Sequence, residues 1–214
     1  MQRMNIYGFP HKGIRIALGQ LSKLSGTTDY TSAQSVSKLH ALTNEVVTIL
    51  DLHLHSEESV VLPALEAKIP GSSDENLEEH AALDKQEKEM AALMDKIAAD
   101  PDPASGVAFY EAVNDFISKY FAHMAMEESD INQIIWANFN DEEIMSWHGQ
   151  IMSTLTPDQI MLWFKYIVPA LNPMERQIIL GGFKANAPQE FYSAVLNMLA
   201  GYLPSEDHAQ IVAF

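Results

Sequence analysis

The sequence predicts an all-α protein, an antiparallel up-down-up-down four-helix bundle followed by a helical C-terminal extension. Apolar residues recur at helical spacing along most of the chain, and no alternating run of β-branched residues predicts a strand. Short turns separate four long amphipathic segments, which is the pattern of a bundle. With 214 residues and an apolar fraction of 47%, the chain is long enough to bury a sizeable core.

Turn-forming residues predict where the first two helices begin and end. The first is predicted to follow Pro10 and to end near Gly26. The second is predicted to begin near residues 31–35 and to end near Lys68, just before a Pro-Gly turn. Pro63 is expected to bend or loosen the end of this helix, because proline has no backbone donor and crowds the preceding turn.

The third and fourth helices are separated by the Asp-Pro-Asp-Pro turn at 100–103. Asp74 is predicted as the N-cap of the third helix. Leu77 and His80 are expected on the inward face of that helix. The fourth helix is predicted over about 104–139, so that four long segments are joined by short loops.

After residue 140 the helical segments become shorter, and prolines stand at or near their first turns. We therefore predict two domains, a bundle over residues 1–140 and a helical extension over 141–214. The extension is rich in aromatic residues and is expected to pack on the bundle or on a partner subunit. Its helices are predicted over 141–154, 157–171, 173–185, 188–202 and 205–212.

The composition argues against several classes of protein. The chain has 29 acidic and 13 basic residues and a net charge of −16, which disfavours binding to nucleic acid or to anionic lipid. It has no cysteine, which excludes disulfides, thiolate metal sites and cysteine nucleophiles. The N-terminus does not resemble a signal peptide, and no apolar run approaches the ~20 residues that span a bilayer. We therefore expect a cytoplasmic protein without a membrane partner.

Four histidines fall on the inward faces of the bundle helices, one on each helix. Two of them are followed one turn later by a glutamate, and residues i and i+4 share a helix face. A buried carboxylate on an apolar face is costly unless a cation neutralises it. A single histidine of this kind is usually a core residue, but four on consecutive helices with two such pairs predict a metal site. The residues are His11, His53 with Glu57, His80, and His123 with Glu127.

His80 and His123 are predicted to lie at the same level of the bundle. Each is about 19 residues from the turn between the third and fourth helices, which is roughly 28 Å along a helix axis. Nitrogen and oxygen ligands without sulfur suit iron, manganese or zinc. Of these three metals, iron and manganese are favoured by bridging carboxylates, as a di-iron or di-manganese centre.

The segments PHKGIR, HLHSEESVVLPAL, EEHAALDKQ and HMAMEESDI resemble the hemerythrin-like (HHE cation-binding) family over roughly residues 7–136. The resemblance implies a non-haem centre of two iron ions, with a bridging oxo or hydroxo group and with manganese or zinc as alternatives. Glu57 and Glu127 are implied to bridge the two metals. Residues 141–210 are more weakly similar to the helices that follow such domains in some plant iron-regulating proteins. The implied ligands are His11, His53, Glu57, His80, His123 and Glu127.

Two departures from the family pattern affect the predicted function. Oxygen-carrying members have a second histidine one turn before the third-helix histidine, whereas this chain has Asn76. Some iron-sensing members have a glutamate directly after the second-helix histidine, whereas this chain has Leu54. Fewer protein ligands leave positions for water, hydroxide, O2 or NO. The departures favour a sensing, iron-handling or redox role over oxygen transport.

The leading hypothesis is a non-haem di-iron protein that binds or senses O2, NO or the iron or redox state. An iron-handling or nitrosative- or oxidative-stress repair enzyme is an alternative, and no residue is predicted to be catalytic. A structural or interaction module with a zinc or vestigial site is a second alternative. The expected partners are a small diatomic or oxidant ligand and a second copy of the chain, bound through the extension.

The remaining histidines are predicted to lie outside the metal site because they fall off the inward faces or beyond the bundle. Glu87 lies on the same face as His80 and is either a carboxylate near the centre or a solvated edge residue. Tyr120, one turn before His123, is expected in the core. The histidines outside the site are His40, His55, His148 and His208.

Overall fold

A computed structural model describes residues 3–214, which form nine helices and no β-strand. The all-α class and the helix bundle with further C-terminal helices are confirmed. No helix within residues 3–214 is long and apolar enough to cross a membrane. The long helices are α1 (Gly8–Thr27), α2 (33–68), α3 (Asp74–Ala99) and α4 (103–138). The shorter ones are α5 (Asp141–Thr154), α6 (Pro157–Ala170), α7 (Pro173–Asn186), α8 (Gln189–Leu199) and α9 (Ser205–Val212).

Two of the long helices contain a π-helical turn. The backbone N–H of Leu62 donates to the carbonyl of Glu57 in α2, and that of Asn132 donates to Glu127 in α4. Each bond spans five residues instead of four, so each turn contains one extra residue. The first of these turns lies just before Pro63, where the sequence predicted that the helix would loosen. The segments of α2 are Ala33–Ser56, π-helical Glu57–Val61 and Leu62–Lys68; those of α4 are Pro103–Met126, π-helical Glu127–Ile131 and Asn132–Asn138.

The ends of the helices follow from local chemistry. The side chain of Asp102 accepts a hydrogen bond from the Ser105 N–H at the start of α4, directly before a proline at the first helical position. Thr156 with Gln159 forms a reciprocal capping box at the start of α6. The prediction for α3 was wrong by one residue, because Ser73 occupies the N-cap and Asp74 is already helical.

The buried face of α3 also differs from the prediction at one position. Leu77 is 41% exposed, whereas its neighbour Asn76 is fully buried. The buried residues recur every three or four positions in a narrow stripe, and Leu77 falls beside that stripe. The stripe consists of Asn76, His80, Leu83, Glu87, Met90, Met94 and Ile97.

The described chain divides into two compact units. The first contains the residues up to Gly8 together with Ala17–Thr154. Within it, α3 packs against both α2 and α4, and α5 packs against the π-helical turn of α2. The division at residue 140 stays a prediction. An apolar cluster of this unit contains Tyr7, Val61, Leu62, Leu65, Ile131, Ile135, Phe139, Ile144 and Trp147.

The second unit contains Phe9–Ile16 together with Leu155–Phe214. Its buried Arg176 forms an ion pair with Asp207 at 2.8 Å and donates a hydrogen bond to the carbonyl of Val168. These two interactions tie α7 to α9 and α6. The apolar core of this unit consists of Phe164, Val168, Leu180, Val195, Leu199, Leu203 and Ile211.

Candidate metal centre

Five of the six predicted ligands lie together in the core of the first unit. Each of the five is at most 5% exposed, although all are polar or charged. Residues of this kind are rarely buried so completely without a partner or a bound cation. They are His53 and Glu57 on α2, His80 on α3, and His123 and Glu127 on α4.

The donor atoms of four of these residues are close enough to bind one cation. Glu57, His80, His123 and Glu127 each offer one ligand atom, and the four atoms lie within 4.8 Å of one another. His53 offers a further nitrogen within the same distance of both glutamates. The donor atoms thus form two overlapping sets, one that contains His53 and one that contains His80 and His123. Both sets contain the carboxylates of Glu57 and Glu127, so the arrangement can hold two cations side by side.

Glu57 lies between histidines of two different helices. Its Oε1 atom is 3.3 Å from Nε2 of His53, and its Oε2 atom is 3.3 Å from Nε2 of His80. The two oxygens of one carboxylate therefore face imidazoles that belong to the two different sets. This is the orientation that a carboxylate bridging two metal ions requires.

Glu127 has a similar position on α4. Its Oε1 atom is 3.2 Å from Nε2 of His123 and 3.6 Å from Nε2 of His80. The rings of His80 and His123 meet edge to face with centroids 4.8 Å apart. The prediction that these two histidines lie at the same level of the bundle is confirmed.

His11 is fully buried on α1. It lies in the segment Phe9–Ile16, which belongs to the second unit, whereas the other predicted ligands belong to the first. Its place in the ligand set therefore stays a prediction.

Acidic residues contact the outer nitrogens of two of the histidines. Nδ1 of His80 is 3.3 Å from Glu58, and Nδ1 of His123 is 2.8 Å from Glu79. When Nδ1 donates its proton to a carboxylate, the lone pair of Nε2 points into the centre, as in many metal sites. The sequence patterns did not single out either glutamate as a contact of these histidines. The available signal was their position beside Glu57 and His80 in the chain.

Asn76 was identified only as a departure from the family pattern, and the structure places it beside the centre. Its Nδ2 donates a 3.0 Å hydrogen bond to Oε1 of Glu127. Its Oδ1 atom is buried and has no hydrogen-bond partner within residues 3–214. An unsatisfied buried acceptor costs about 1–3 kcal/mol. This oxygen therefore fits a bound group next to Glu127.

The buried carboxylates dominate the electrostatics of the centre. Burial lowers the pKa of His80, but hydrogen bonds with Glu127 and Glu57 outweigh that effect and raise the pKa to about 10. Burial and the charges of Glu127 and Glu57 both raise the pKa of Tyr7 well above its usual value. Concentrated negative charge, imidazole nitrogens and carboxylate oxygens suit iron, manganese or zinc.

A narrow cavity of about 10 Å³ reaches the centre, which is room for one water-sized molecule. Glu57, His80 and His123 line the cavity, whereas Glu127 does not. Tyr120 also lines the cavity and is only 6% exposed, so it belongs to the core as predicted.

The four histidines predicted to lie outside the site are absent from every metal-ligand set found within residues 3–214. His40 contacts Asp95 at 2.8 Å, and His208 contacts the carbonyl of Leu196 at 2.9 Å. His55 and His148 are exposed.

A helix bundle with buried histidines and glutamates converging in its core defines a class of proteins that bind cations between their helices. Comparison with protein families identifies the family within this class. Residues 9–135 match the hemerythrin HHE cation binding domain, and the match spans more than half of the chain. The chain therefore belongs to this family. Comparisons with curated proteins and with solved structures found no match.

Proposed function

We propose that this protein is a non-haem di-iron protein that binds or senses O2, NO or the iron or redox state through a carboxylate-bridged centre. The orientation of Glu57 carries the proposal, because its two oxygens face histidines of two overlapping ligand sets. A centre with two shared carboxylates suits a pair of ions better than a single structural ion.

The proposed ligands are His11, His53, Glu57, His80, His123 and Glu127, with Glu57 and Glu127 as bridges. His11 is the proposed ligand from α1. Its full burial supports that role, as does its place within the segment that matches the family.

The protein's own residues would orient and enclose the metal pair. Glu58 and Glu79 hold the outer nitrogens of His80 and His123, and the amide of Asn76 holds Glu127. When bound, the irons supply exchangeable coordination positions and reversible one-electron chemistry. Contacts to the histidines and carboxylates tune the potential of such a centre.

The size of the cavity favours a small ligand. With about 10 Å³ available, a diatomic molecule or a small anion fits more readily than an organic substrate. Leu50, Leu54 and Leu83 line the same cavity and limit the access of bulk water to the centre. The cytoplasmic location and a homodimer through residues 141–214 stay predictions.

The test is the metal content of protein expressed with added iron, together with its visible spectrum before and after reduction and exposure to NO. We expect about two irons per chain and a charge-transfer band that changes with both treatments. The variants Glu57→Ala and Glu127→Ala should lose the band, whereas the exposed-site control Glu89→Ala should keep it. Zinc alone, or no metal after reconstitution, would refute the di-iron proposal. Rapid turnover of peroxide or NO would favour the enzyme alternative.

A further inference from the structure

Glu87 is a buried acid that the ligand set does not use. It is only 7% exposed and lies on the buried stripe of α3. Seven residues, or about 10 Å along the helix, separate it from His80. Its carboxyl group forms none of the hydrogen bonds or ion pairs found within residues 3–214, in contrast to the carboxyl groups of the two bridging glutamates.

Glu87 and the metal centre share one cavity. The wall that contains Glu57 and His80 also contains Glu87 and its neighbour Asp84. A molecule in this cavity therefore meets a buried acid that is not a proposed ligand as well as three residues that are, Glu57, His80 and His123. No other carboxylic acid as deeply buried as Glu87 lines the described cavity outside the ligand set.

The surroundings of Glu87 keep its carboxyl group neutral near pH 7. Burial raises its pKa, and the charges of Asp51 on α2 and Asp84 on α3 raise it further, to about 8, against the opposing effect of Lys88. Lys88 is held 2.7 Å from Asp84 and is exposed. From α4, Tyr120 faces the same group, and burial raises its own pKa well above the usual value. Tyr120 therefore stays neutral.

Carboxyl groups also connect Glu87 with the surface. Asp84 is half-buried and Asp51 is exposed. Burial and the charge of Asp84 raise the pKa of Asp51 above its usual value. An exposed acid and a cavity acid whose pKa values are both raised, Asp51 and Glu87, suit the movement of protons between solvent and the cavity. These acids suit cation binding less well, because Asp51, Asp84 and Glu87 do not form a metal-ligand set among the described residues.

We propose that Glu87 is the proton-exchange group of the metal centre. Its O–H bond breaks as a small basic molecule in the cavity takes the proton, and the resulting carboxylate regains a proton from solvent by way of Asp84 and Asp51. The charge is balanced because one proton leaves and one returns. The proposal rests on the proposed function, since it needs a centre that holds a small ligand. Glu87 exchanges the proton itself and is not a metal ligand.

The first experiment needs no metal. The infrared carbonyl band of protonated carboxylic acids is recorded for the metal-free protein as the pH is raised. We expect one band that disappears with a midpoint near pH 8, that is missing in Glu87→Gln and that persists in the control Glu89→Gln. A wild-type protein without this band, or with the same band in Glu87→Gln, would overturn the proposal.

The second experiment uses azide as the probe on iron-loaded protein. In the wild type, the rate of azide binding should fall by up to ~10-fold per pH unit above about pH 8, as expected for a step coupled to one proton. Glu87→Gln should remove this dependence without changing the iron content, and Glu87→Asp should restore part of it. An unchanged pH profile in Glu87→Gln would overturn the proposal. A Glu87→Gln variant that differs from the wild type only in taking up iron more slowly would overturn it too.

The two experiments separate the two proposals. If the infrared band titrates as expected but the wild-type chain binds no iron, the di-iron function fails and the buried acid stands. If iron and azide bind but Glu87→Gln leaves the pH profile unchanged, the di-iron function stands and the role of Glu87 fails.

Discussion

The two His-x-x-x-Glu segments of the bundle have the same local geometry in different surroundings. In both, the glutamate begins a π-helical turn, at Glu57–Val61 in α2 and at Glu127–Ile131 in α4. Only the first is followed by a proline, Pro63. Because the second turn forms without one, proline is not required for the distortion. What the two segments share is a buried histidine, a buried glutamate and the sequence Glu-Glu-Ser.

The surroundings of the two glutamates differ in a way that affects ligand access. Glu57 lines the cavity, whereas Glu127 does not and instead accepts a hydrogen bond from Asn76. The centre therefore has an open side, lined by Glu57, and a closed side, where Glu127 lies. We expect small ligands to reach it from the side of Glu57.

The strongest test of this comparison replaces each glutamate separately. If the centre holds two irons as proposed, Glu57→Ala and Glu127→Ala should each reduce the iron content from about two per chain to less than one, because each carboxylate belongs to both ligand sets. Metal analysis after reconstitution measures the effect, and Glu89→Ala is the control. Retention of two irons by either variant would show that its carboxylate is not a bridge.

Asn76→Leu tests the closed side alone. The substitution removes the donor to Glu127 at similar volume, and loss of such a supporting contact typically weakens metal binding about 10–100-fold. Competition with a chelator measures the affinity. Asn114→Leu, which affects a half-buried asparagine on α4 that bonds to Ser22, is the matched control. Equal affinity in Asn76→Leu and the wild type would show that Asn76 does not support Glu127.

Glu87→Gln tests the open side through the stability of the metal-free protein. The pKa of Glu87 is raised to about 8 in the folded state, so the unfolded chain ionises first. Stability is therefore lost as the pH rises from the unfolded pKa of about 4.3 towards 8, and the glutamine variant avoids that loss. Between about pH 5 and pH 8.5, the free energy of unfolding measured in urea should change by up to about 4 kcal/mol in favour of Glu87→Gln relative to the wild type. Glu89→Gln should show no such shift, and a parallel pH dependence of Glu87→Gln and wild type would contradict the prediction.

Pro63→Ala should have the smallest effect. Since α4 forms its π-helical turn without proline, α2 should keep both its turn and its metal content, with a stability change below about 1 kcal/mol. Metal analysis and thermal unfolding check this. Loss of metal in Pro63→Ala would mean that the two turns have different causes.

Most of the fold could be predicted because periodicity and prolines act locally. The helix limits after residue 140 were predicted to within a few residues by the prolines at their first turns. The equal level of His80 and His123 followed from counting residues to a shared turn. The wrong inward placement of Leu77 shows the limit of this reasoning, since neighbouring positions on a helix differ by only about 100°.

The contacts around the centre were harder to predict because they depend on how the helices are rotated against one another. Glu79 reaches a histidine of a different helix, and Asn76 reaches a glutamate of a different helix. Sequence position next to a ligand marks Glu79 as a candidate, but spacing along one helix does not say which residue of another helix either side chain reaches. The cavity beside Glu87 was equally hard to predict, because side chains of three helices form its wall.

The π-helical turns also have a consequence for how sequences of this family should be aligned. Each turn contains one residue more than an α-helical turn, so every side chain beyond it is offset by one position from a regular helix. Beyond the turns, Leu65 and Ile135 both reach the apolar cluster around Tyr7. A relative with a regular helix at either place would lack one residue there, and a correct alignment would need a single-residue gap between the glutamate and the apolar end. Ungapped alignment would match buried positions with exposed ones over the last two turns of each helix.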